Sequence, residues 1–424
     1  MSSVLEKDKQ HVWHPFTQMK TAEAPLDIVK SEGTLLIDRD GKEYIDCNSS
    51  WWVNVHGHCH PHIIKAVTEQ ISKIDHIIFA DATHEPAVKL AERVCKILPE
   101  SFQKVFFSDN GSTAIEVALK MVFQFWFNQG IEKKRILAID GAYHGDTFGA
   151  MSVGERGFFN RPFEAFFFDV DYLDFPTSEI EDEQLQKAEE LFKTGQFAGL
   201  IVEPLIQGSA GMRIYSADWL DKLVALAQKY DVLVIFDEVM TAWGRTGKMF
   251  ALEHCSVVPD IICLSKGLTG GVVPLGLTVT SDKIYNQFLS DETVKALLHG
   301  HSFTGNAIAC ACANASLDIF ELNFTWKNID RISKSHVEFI DTIHSHSKVK
   351  TVRYLGTILA IEIEEGQETT YFSSIKKKAF DYFKENGMLL RPLGNVLYLN
   401  PPYCITEEQL SKVYSHLRSF LELL

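Results

Sequence analysis

Short apolar runs, each about as long as one buried strand, recur through the middle of this 424-residue chain. Stretches with helical periodicity separate most of these runs, and continuous apolar runs are typical of strands that are buried on both faces. The alternation predicts an α/β protein with a mostly parallel central sheet flanked by helices. The strand candidates are residues 104–108, 135–139, 199–203, 232–236 and 261–264.

The two ends of the chain have a different pattern. An Asp-Gly pair at residues 40–41 stands between apolar runs, which is a strong signal for a β-hairpin. Strand candidates return near the other end, and residues 407–424 favour an amphipathic helix. We therefore expect a smaller α+β domain from both termini, formed by residues 1–55 and 315–424, beside a large domain at residues 56–314.

Composition argues against several classes of protein. A hydrophobic fraction of 46% and a charged fraction of 23% are ordinary for a globular protein. The net charge of -15 argues against nonspecific binding to nucleic acid or to an anionic membrane. The eight cysteines have no regular spacing, which predicts reduced thiols and a cytoplasmic setting. The first residues lack the apolar core of a signal peptide, and no apolar run is long enough to span a bilayer.

Two of the apolar runs are followed by a charged residue, Asp237 in one case and Lys266, after Ser265, in the other. A buried charge is costly unless something pairs with it. A carboxylate and an amine at adjacent strand ends suit a ligand with a basic nitrogen and an electrophilic carbon. Pyridoxal phosphate is such a ligand, because a lysine can bind it covalently and an aspartate can pair with its ring nitrogen. A surface lysine and a capping or metal-binding carboxylate are the alternatives at this point.

A possible phosphate-binding turn follows the strand candidate at residues 104–108. Gly111, Ser112 and Thr113 precede an apolar stripe with helical spacing, so they are expected at a helix N-terminus. Free backbone N–H groups and the positive end of the helix dipole suit a phosphate there. Simple N-capping by Ser112 or Thr113 is the alternative. The pattern of a nucleotide P-loop is absent.

Two further motifs concern an aromatic ring and a group of histidines. Tyr143 lies between Gly141 and Gly145, where a ring can lie flat against a planar ligand, although an ordinary loop would have the same composition. The histidines between His56 and His62 crowd one short stretch that does not match the usual zinc spacings. We expect a turn into a helix there and no metal site.

Together these segments resemble the class III, or omega, aminotransferases of the fold-type I pyridoxal-phosphate enzymes. Residues 236–247, which contain Asp-Glu and Gly-Arg-Thr-Gly, carry the strongest part of the resemblance, followed by residues 259–260 and the Lys266 segment. Residues 111–116 and 141–145 also match, each in its expected place. The resemblance runs over nearly the whole chain and implies both the fold and the cofactor, pyridoxal 5'-phosphate.

The resemblance also implies roles for the cofactor-side residues. Lys266 would bind the cofactor covalently and shuttle a proton, and Asp237 would keep the ring nitrogen protonated. Tyr143 would stack on the ring, while Gly111 and Ser112 would hold the phosphate. The family further implies a homodimer with its active sites at the subunit interface. In that dimer the segment containing Gly300, His301 and Ser302 would reach the site of the second subunit, with His301 and Ser302 at the cofactor.

Within the class, residues 14–19, 49–58, 299–306 and 391–398 resemble the branch that acts in biotin synthesis. That branch transfers an amino group from S-adenosylmethionine to 8-amino-7-oxononanoate, giving 7,8-diaminononanoate. By this resemblance Arg391 would pair with the carboxylate of the oxononanoate, since a guanidinium fork suits a carboxylate. The expected substrate-binding residues are Phe16, Trp51, Trp52, Tyr143, Lys266, Gly300, Arg391 and Tyr398.

Several alternatives stay open at the level of sequence. Phe16 stands where well-known adenosylmethionine-using members carry tyrosine, and His301-Ser302 stands where some carry Pro-Thr. Both changes resemble a branch that takes lysine, so the donor is either S-adenosylmethionine or lysine. Another omega-aminotransferase acting on a diamine or a β- or γ-amino acid, or an aminomutase, would use the same scaffold. Arg245 either contacts substrate or braces its loop.

Overall fold

The computed structural model describes residues 3–365 and 373–424. Its strands are β1 Ile28–Glu32, β2 Leu35–Asp38, β3 Glu43–Asp46, β4 Phe102–Ser108, β5 Arg135–Ile139, β6 Val170–Leu173, β7 Phe197–Val202, β8 Ile206–Gln207, β9 Arg213–Ile214, β10 Leu233–Asp237, β11 Ile261–Leu264, β12 Gly276–Ser281, β13 Val349–Leu355, β14 Ile358–Ile363, β15 Met388–Leu389 and β16 Val396–Leu399.

Helices separate most of these strands. They are α1 Val4–His11, α2 Ser49–Trp52, α3 Pro61–Ile71, α4 Glu85–Ile97, α5 Gly111–Asn128, α6 Phe148–Val153, α7 Glu181–Lys193, α8 Ala217–Lys229, α9 Asp282–Tyr285, α10 Ala307–Phe320, α11 Asn323–Ile343, α12 Ser374–Glu385 and α13 Glu407–Glu422. Short 3-10 turns lie at Arg161–Phe166, Ala251–His254, Lys266–Thr269, Asn286–Phe288 and Thr293–Lys295. Each of the described helices is too short or too polar to cross a lipid bilayer.

The central sheet has the strand order β4-β12-β11-β10-β7-β5-β6. The pairs from β11 to β6 are parallel, while β12 runs antiparallel to both of its neighbours. The predicted α/β class with a mostly parallel sheet is therefore confirmed, and every strand candidate of the central region forms a strand. Two strands of this sheet were not predicted: β12 mixes threonine with apolar residues, and β6 is short and carries an aspartate.

The register of this sheet determines what meets at its edge. Phe236 of β10 pairs with Val202 of β7 and with Ile262 of β11. The carboxyl ends of the three parallel strands therefore lie side by side, which is where ligands bind in open α/β sheets. The residues that follow these ends, Glu203 and Lys266 with its neighbours, are thereby brought next to Asp237.

Helix α5 covers one face of the sheet. Ala118, Val122 and Phe125 are buried in one hydrophobic cluster with Ile201 and Ile235 of the strands beneath. Burial of a side chain the size of valine, isoleucine or phenylalanine contributes roughly 1.5–3 kcal/mol. This packing fixes the start of α5, which carries Gly111 and Ser112, against the carboxyl ends of the strands.

The terminal segments build two smaller sheets, with orders β1-β2-β3-β15 and β13-β14-β16. The predicted hairpin is confirmed, because β2 and β3 pair antiparallel across a turn in which Gly41 has φ 82. Strand β15 pairs in parallel with β3 and joins the two ends of the chain. The division into residues 1–55, 56–314 and 315–424 stays a prediction, and its second boundary falls inside α10.

Candidate active site

A cavity of about 550 Å³ opens at the carboxyl edge of the central sheet. Its size is within the usual range for small-molecule sites, about 300–1,000 Å³. Most of its wall is formed by the start of α5, by the loop after β5 and by the ends of β7, β10 and β11. The lining residues include Trp52, Gly111, Ser112, Tyr143, His144, Gly145, Asp146, Glu203, Asp237, Ser265, Lys266 and Thr269.

Lys266 opens the first turn after β11 with a left-handed φ of 47, and its side chain is half-buried. Its Nζ lies 4.4 Å from the centroid of the Trp52 ring. Among the residues that the structure describes, this amine has no hydrogen bond or ion pair. Burial lowers the pKa of Lys266 to about 8, against the opposing attraction of Asp237 and Glu203. The lowered pKa increases the fraction of neutral amine near neutral pH, and the neutral amine is the nucleophilic form.

Asp237 ends β10 and is almost fully buried. Its Oδ1 accepts a hydrogen bond from the Val239 N–H at 3.1 Å, and its Oδ2 lies 2.7 Å from Nδ1 of His144. An ionised carboxylate only accepts hydrogen bonds, so His144 donates from Nδ1. The carboxylate is thus held in one orientation beside the cavity.

Glu203 follows β7 and is a second buried carboxyl in the wall. It accepts hydrogen bonds from the backbone N–H groups of Tyr143 and Gly208, both at 3.0 Å. Burial raises the pKa of Glu203 to about 7. Sequence reasoning named neither Glu203 nor His144 as a site residue. The signal for Glu203 was present, since it is a charged residue at the end of a buried strand, as Asp237 and Lys266 are.

Tyr143 lies where the loop after β5 meets the cavity. Its backbone is held by Glu203, and its hydroxyl donates to Oδ2 of Asp146 at 2.9 Å. Burial raises the pKa of the Tyr143 phenol, so the group stays protonated at physiological pH. Both ends of the side chain are therefore anchored, which fixes the position of the ring at the cavity.

The start of α5 is capped by Asn110. Its side chain accepts from the Thr113 N–H at 3.0 Å, and the Thr113 hydroxyl accepts from the Asn110 N–H at 3.1 Å. Neither Ser112 nor Thr113 is the N-cap, so the N-capping alternative is wrong. Ser112 instead turns toward the neighbouring loop, where its Oγ accepts from the Asp146 N–H at 3.3 Å. The Thr113 N–H is thus satisfied by the cap, while the N–H groups of Gly111 and Ser112 have no acceptor inside the helix.

Gly145 lies against Ser112 and, together with Gly111 and Ser112 at the start of α5, forms a concave corner of the cavity. It has φ 125, and a Cβ at this position would overlap Oγ of Ser112. Only glycine lets the loop approach Ser112 so closely without strain. The corner therefore combines free helix N–H groups, one hydroxyl and a concave backbone, which is the chemistry of an anion site.

The side chains of Phe16, Trp51, Trp52 and Tyr398 form an aromatic wall next to Lys266. Trp52 donates from Nε1 to the Tyr398 hydroxyl at 2.9 Å. Trp51 is partly exposed, with its ring 5.5 Å from that of Phe16 and 5.2 Å from the guanidinium of Arg391. The predicted substrate residues Phe16, Trp51, Trp52, Arg391 and Tyr398 thus form one contiguous group, of which Trp52 lines the cavity itself.

The family model described as aminotransferase class-III matches residues 17–421. The chain belongs to this family. Because the match spans nearly the whole chain, it covers both the central sheet and the terminal sheets of this class-III aminotransferase.

One relative by sequence and two solved structures show which members of the family this aminotransferase is similar to. The adenosylmethionine-8-amino-7-oxononanoate aminotransferase of Synechococcus elongatus is 45% identical over 97% of this chain and 98% of the relative. A crystal structure of the protein of that name from Methanocaldococcus jannaschii is 35% identical, with a TM-score of 0.93 and 98% of both chains covered. An amine transaminase from an uncultivated Pseudomonas species, solved with pyridoxal phosphate bound, is 28% identical, with a TM-score of 0.91 over 97% of this chain and 98% of that one.

Arg245 of this aminotransferase is fully buried away from the cavity. It donates to the backbone carbonyls of Pro401 at 2.8 Å, Asn400 at 3.4 Å and Trp52 at 3.5 Å. Burial lowers the pKa of the guanidinium. Of the two predicted roles, these contacts fit a brace that ties the loop to Trp52.

The predicted residues Gly300, His301 and Ser302 lie elsewhere in this aminotransferase. They do not line the described cavity of their own chain. Gly300 and Ser302 are exposed, and His301 donates from its backbone N–H to Thr304 Oγ1 at 3.0 Å. Their predicted role at the site of a second subunit stays a prediction.

Three of the four histidines between residues 56 and 62 have separate hydrogen-bond partners, and the fourth, His60, lies with its ring 6.2 Å from that of His56. His56 lies 2.9 Å from the Ser316 hydroxyl, and His62 lies 2.8 Å from Asp318. His58 lies 2.8 Å from Oδ2 of buried Asp46. These contacts link the turn to α10 and to the end of β3, and the predicted helix begins at Pro61.

Proposed function

We propose that this protein transfers an amino group to the keto group of 8-amino-7-oxononanoate, giving 7,8-diaminononanoate, a reaction of biotin synthesis. The proposal is supported by relatives that carry this activity in their names and match nearly the whole chain. The observation that carries it is the aromatic wall between Lys266 and Arg391. A substrate with a ketone near one end and a carboxylate at the other, joined by methylenes, is complementary to such a wall.

The cavity fits pyridoxal phosphate, the cofactor of this enzyme family. The anion corner formed by Gly111, Ser112 and Gly145 suits the phosphate. The buried carboxylate of Asp237 suits a protonated ring nitrogen, and the amine of Lys266 suits the aldehyde carbon. When bound, the cofactor accepts the amino group of the donor and then passes it to the acceptor.

The protein's own groups would hold the reactants and move protons. Lys266, with its pKa lowered to about 8, would take a proton from the reacting carbon and return it. Asp237, oriented by His144, would keep positive charge on the ring nitrogen. Tyr143, anchored at both ends, would lie against the ring.

On the substrate side, Arg391 would pair with the terminal carboxylate. Its side chain is exposed, and it has no ion pair among the described residues, so its charge is free for a ligand. A guanidinium and a carboxylate form a strong bidentate pair. Phe16, Trp51 and Trp52 would cover the methylene chain, with Tyr398 holding Trp52 in place.

We propose a homodimer in which the segment from Gly300 to Ser302 completes the site of the second subunit. Support comes from the exposure of Gly300 and Ser302 and from the fact that the segment does not line the described cavity of its own chain. His301 and Ser302 would contact the cofactor phosphate, and Gly300 the substrate. We further propose a cytoplasmic location, supported by eight cysteines that are all free thiols.

Two half-reactions test the proposed function. The protein loaded with pyridoxal phosphate is mixed separately with S-adenosylmethionine, lysine and β-alanine, and the loss of the visible absorbance of the covalently bound cofactor is followed. 8-Amino-7-oxononanoate is then added, and diaminononanoate is measured by mass spectrometry.

We expect S-adenosylmethionine to convert the cofactor and the oxononanoate to restore it. Conversion by lysine alone would change the donor but keep the acceptor. Failure of the oxononanoate to restore the absorbance, while β-alanine or a diamine turns over, would contradict the proposal and indicate another omega-aminotransferase.

A further inference from the structure

Asn48 is hydrogen bonded to the segments that carry Trp52, Tyr398 and Arg391. Its Oδ1 accepts from the Arg391 N–H at 2.7 Å, and its Nδ2 donates to the Tyr398 carbonyl at 2.9 Å. Its own carbonyl accepts from the Trp52 N–H at 3.0 Å. The side chain is almost fully buried. Two segments far apart in the sequence, residues 48–52 and residues 391–398, therefore meet at this residue.

The residue type at this position is chemically constrained. One end of the side chain must accept from an N–H, and the other must donate to a carbonyl, which an amide can do and a carboxylate cannot. The backbone N–H of Asn48 donates to Oδ1 of Asp46 at 3.1 Å, so the amide is itself held. Oδ2 of the same Asp46 also accepts from the Ser50 N–H at 2.6 Å and lies 2.8 Å from the ring of His58.

The segment after Asn48 needs such support. Ser49, Ser50 and Trp52 have φ values of 51, 58 and 68, in the left-handed region. Residues with side chains adopt this conformation at a cost and keep it only where the surroundings hold them. The bonds from Asp46 and Asn48 provide that hold, and they thereby fix the two tryptophans of the wall.

We infer that Asn48 is a positioning residue for acceptor specificity, which sets Arg391 at a fixed place relative to the tryptophan pair. This inference rests on the proposed function, because it names what holds the proposed carboxylate site. Asn48 itself does not line the cavity. It would act through the backbone of Arg391 and Tyr398, so its loss should weaken binding of the keto acid and spare the chemistry at Lys266.

The first test is steady-state kinetics of the holoenzyme with Asn48→Ala. A hydrogen bond lost from a buried group costs enough to raise the KM for 8-amino-7-oxononanoate about tenfold. The KM for the amino donor and the kcat should change much less. Asn48→Asp is the second variant, because it keeps the volume and the acceptor for Arg391 but repels the Tyr398 carbonyl.

Asn314→Ala is the matched control. Asn314 is also a buried amide that joins separate segments, donating to the Pro86 carbonyl at 2.9 Å and accepting from Arg93 at 3.3 Å, but it does not line the cavity. Its loss should lower Tm as Asn48→Ala does, yet leave the ratio of the two KM values unchanged.

A double-variant cycle with Arg391→Ala separates positioning from general destabilisation. If Asn48 acts through Arg391, the factor by which Asn48→Ala raises the acceptor KM should largely vanish once Arg391 is alanine. The inference would be overturned if Asn48→Ala raised the acceptor KM by the same factor with Arg391 present and with Arg391 replaced by alanine. It would also be overturned if Asn48→Ala, like Asn314→Ala, left the ratio of acceptor KM to donor KM unchanged. Either result would leave the proposed function standing. No turnover of the keto acid by the unaltered protein would overturn the proposed function, and the inference with it.

Discussion

His144 Nδ1 lies 2.7 Å from Oδ2 of Asp237, and both side chains are buried beside the cavity. A buried carboxylate with a single backbone donor would be costly, so the imidazole supplies a second hydrogen bond and fixes the orientation. The relationship spans two strand ends, since His144 follows β5 and Asp237 ends β10. Asp237, which we propose as the partner of the cofactor's ring nitrogen, is therefore supported by a residue from a distant part of the sequence.

We predict that His144→Phe lowers kcat roughly tenfold to a hundredfold, because a hydrogen bond to a charged group contributes about 1.5–3 kcal/mol. His144→Asn keeps a donor of similar reach and should retain more activity. The measurement is kcat with saturating donor and acceptor, together with the affinity for pyridoxal phosphate. Equal activity of His144→Phe and the unaltered protein would show that Asp237 needs no such support.

Lys266→Ala should abolish turnover and the visible absorbance of the covalently bound cofactor. The Tm of the cofactor-free protein should not fall, because Lys266 makes no hydrogen bond or ion pair among the described residues and burial disfavours its charged form. Absorbance spectra, turnover assays and thermal melts check these three outcomes. Normal turnover by this variant would remove Lys266 from the proposed mechanism.

Lys266 should also titrate abnormally in the cofactor-free protein. Its folded pKa, about 8, is below the unfolded value, so the folded state favours the neutral amine. Stability contributed by this residue therefore falls as pH decreases from the unfolded pKa through about 8. Labelling by an amine-directed reagent, measured by mass spectrometry, should rise through pH 8 at Lys266. Exposed Lys229, whose pKa is raised by its bond to Glu189, should label only at higher pH. Parallel titration of both residues would contradict this prediction.

The sequence allowed the ends of the parallel strands to be predicted, because apolar runs and the charged residues after them are local. Asp237 and Lys266 were found in this way, and the register of β10 and β11 confirms that their strands are neighbours. Glu203 follows the same rule on β7 but belonged to no quoted motif. His144 and Asn48 could not be assigned, since each acts on residues that only the folded chain brings near.

The start of α5 shows a second limit. Glycine, serine and threonine in a row predict a helix N-terminus, and α5 does begin at Gly111. Which residue caps it depends on backbone geometry at Asn110, where the extended φ and ψ allow the side chain to fold back. Composition alone does not distinguish a cap from a residue left free for a ligand, such as Ser112.

Arg245→Met should destabilise the protein rather than alter substrate binding. The side chain donates to the backbone carbonyls of Trp52, Asn400 and Pro401, and losing a buried donor costs about 1–3 kcal/mol per group left unpaired. We expect a lower Tm with an unchanged ratio of acceptor to donor KM. An unchanged Tm with a raised acceptor KM would instead indicate direct contact with substrate.

Gly145→Ala should weaken cofactor binding through the anion corner. Its φ of 125 is unfavourable for alanine, and the new Cβ would overlap Oγ of Ser112 and push it from its place. Strain of this kind costs about 1–3 kcal/mol, so the Kd for pyridoxal phosphate should rise roughly fivefold to a hundredfold. This Kd is measured by titrating the cofactor-free protein with pyridoxal phosphate.

The control for Gly145→Ala is Gly195→Ala, where φ is 70 and nothing lies within 4 Å of an added Cβ. Gly195→Ala places alanine at an unfavourable φ but brings its Cβ against no other atom. Its Tm should therefore fall, while its Kd for pyridoxal phosphate stays the same. If both variants bound the cofactor as tightly as the unaltered protein, Ser112 would not be part of the phosphate site. In that case the N–H groups at the start of α5 would have to hold the anion without its hydroxyl.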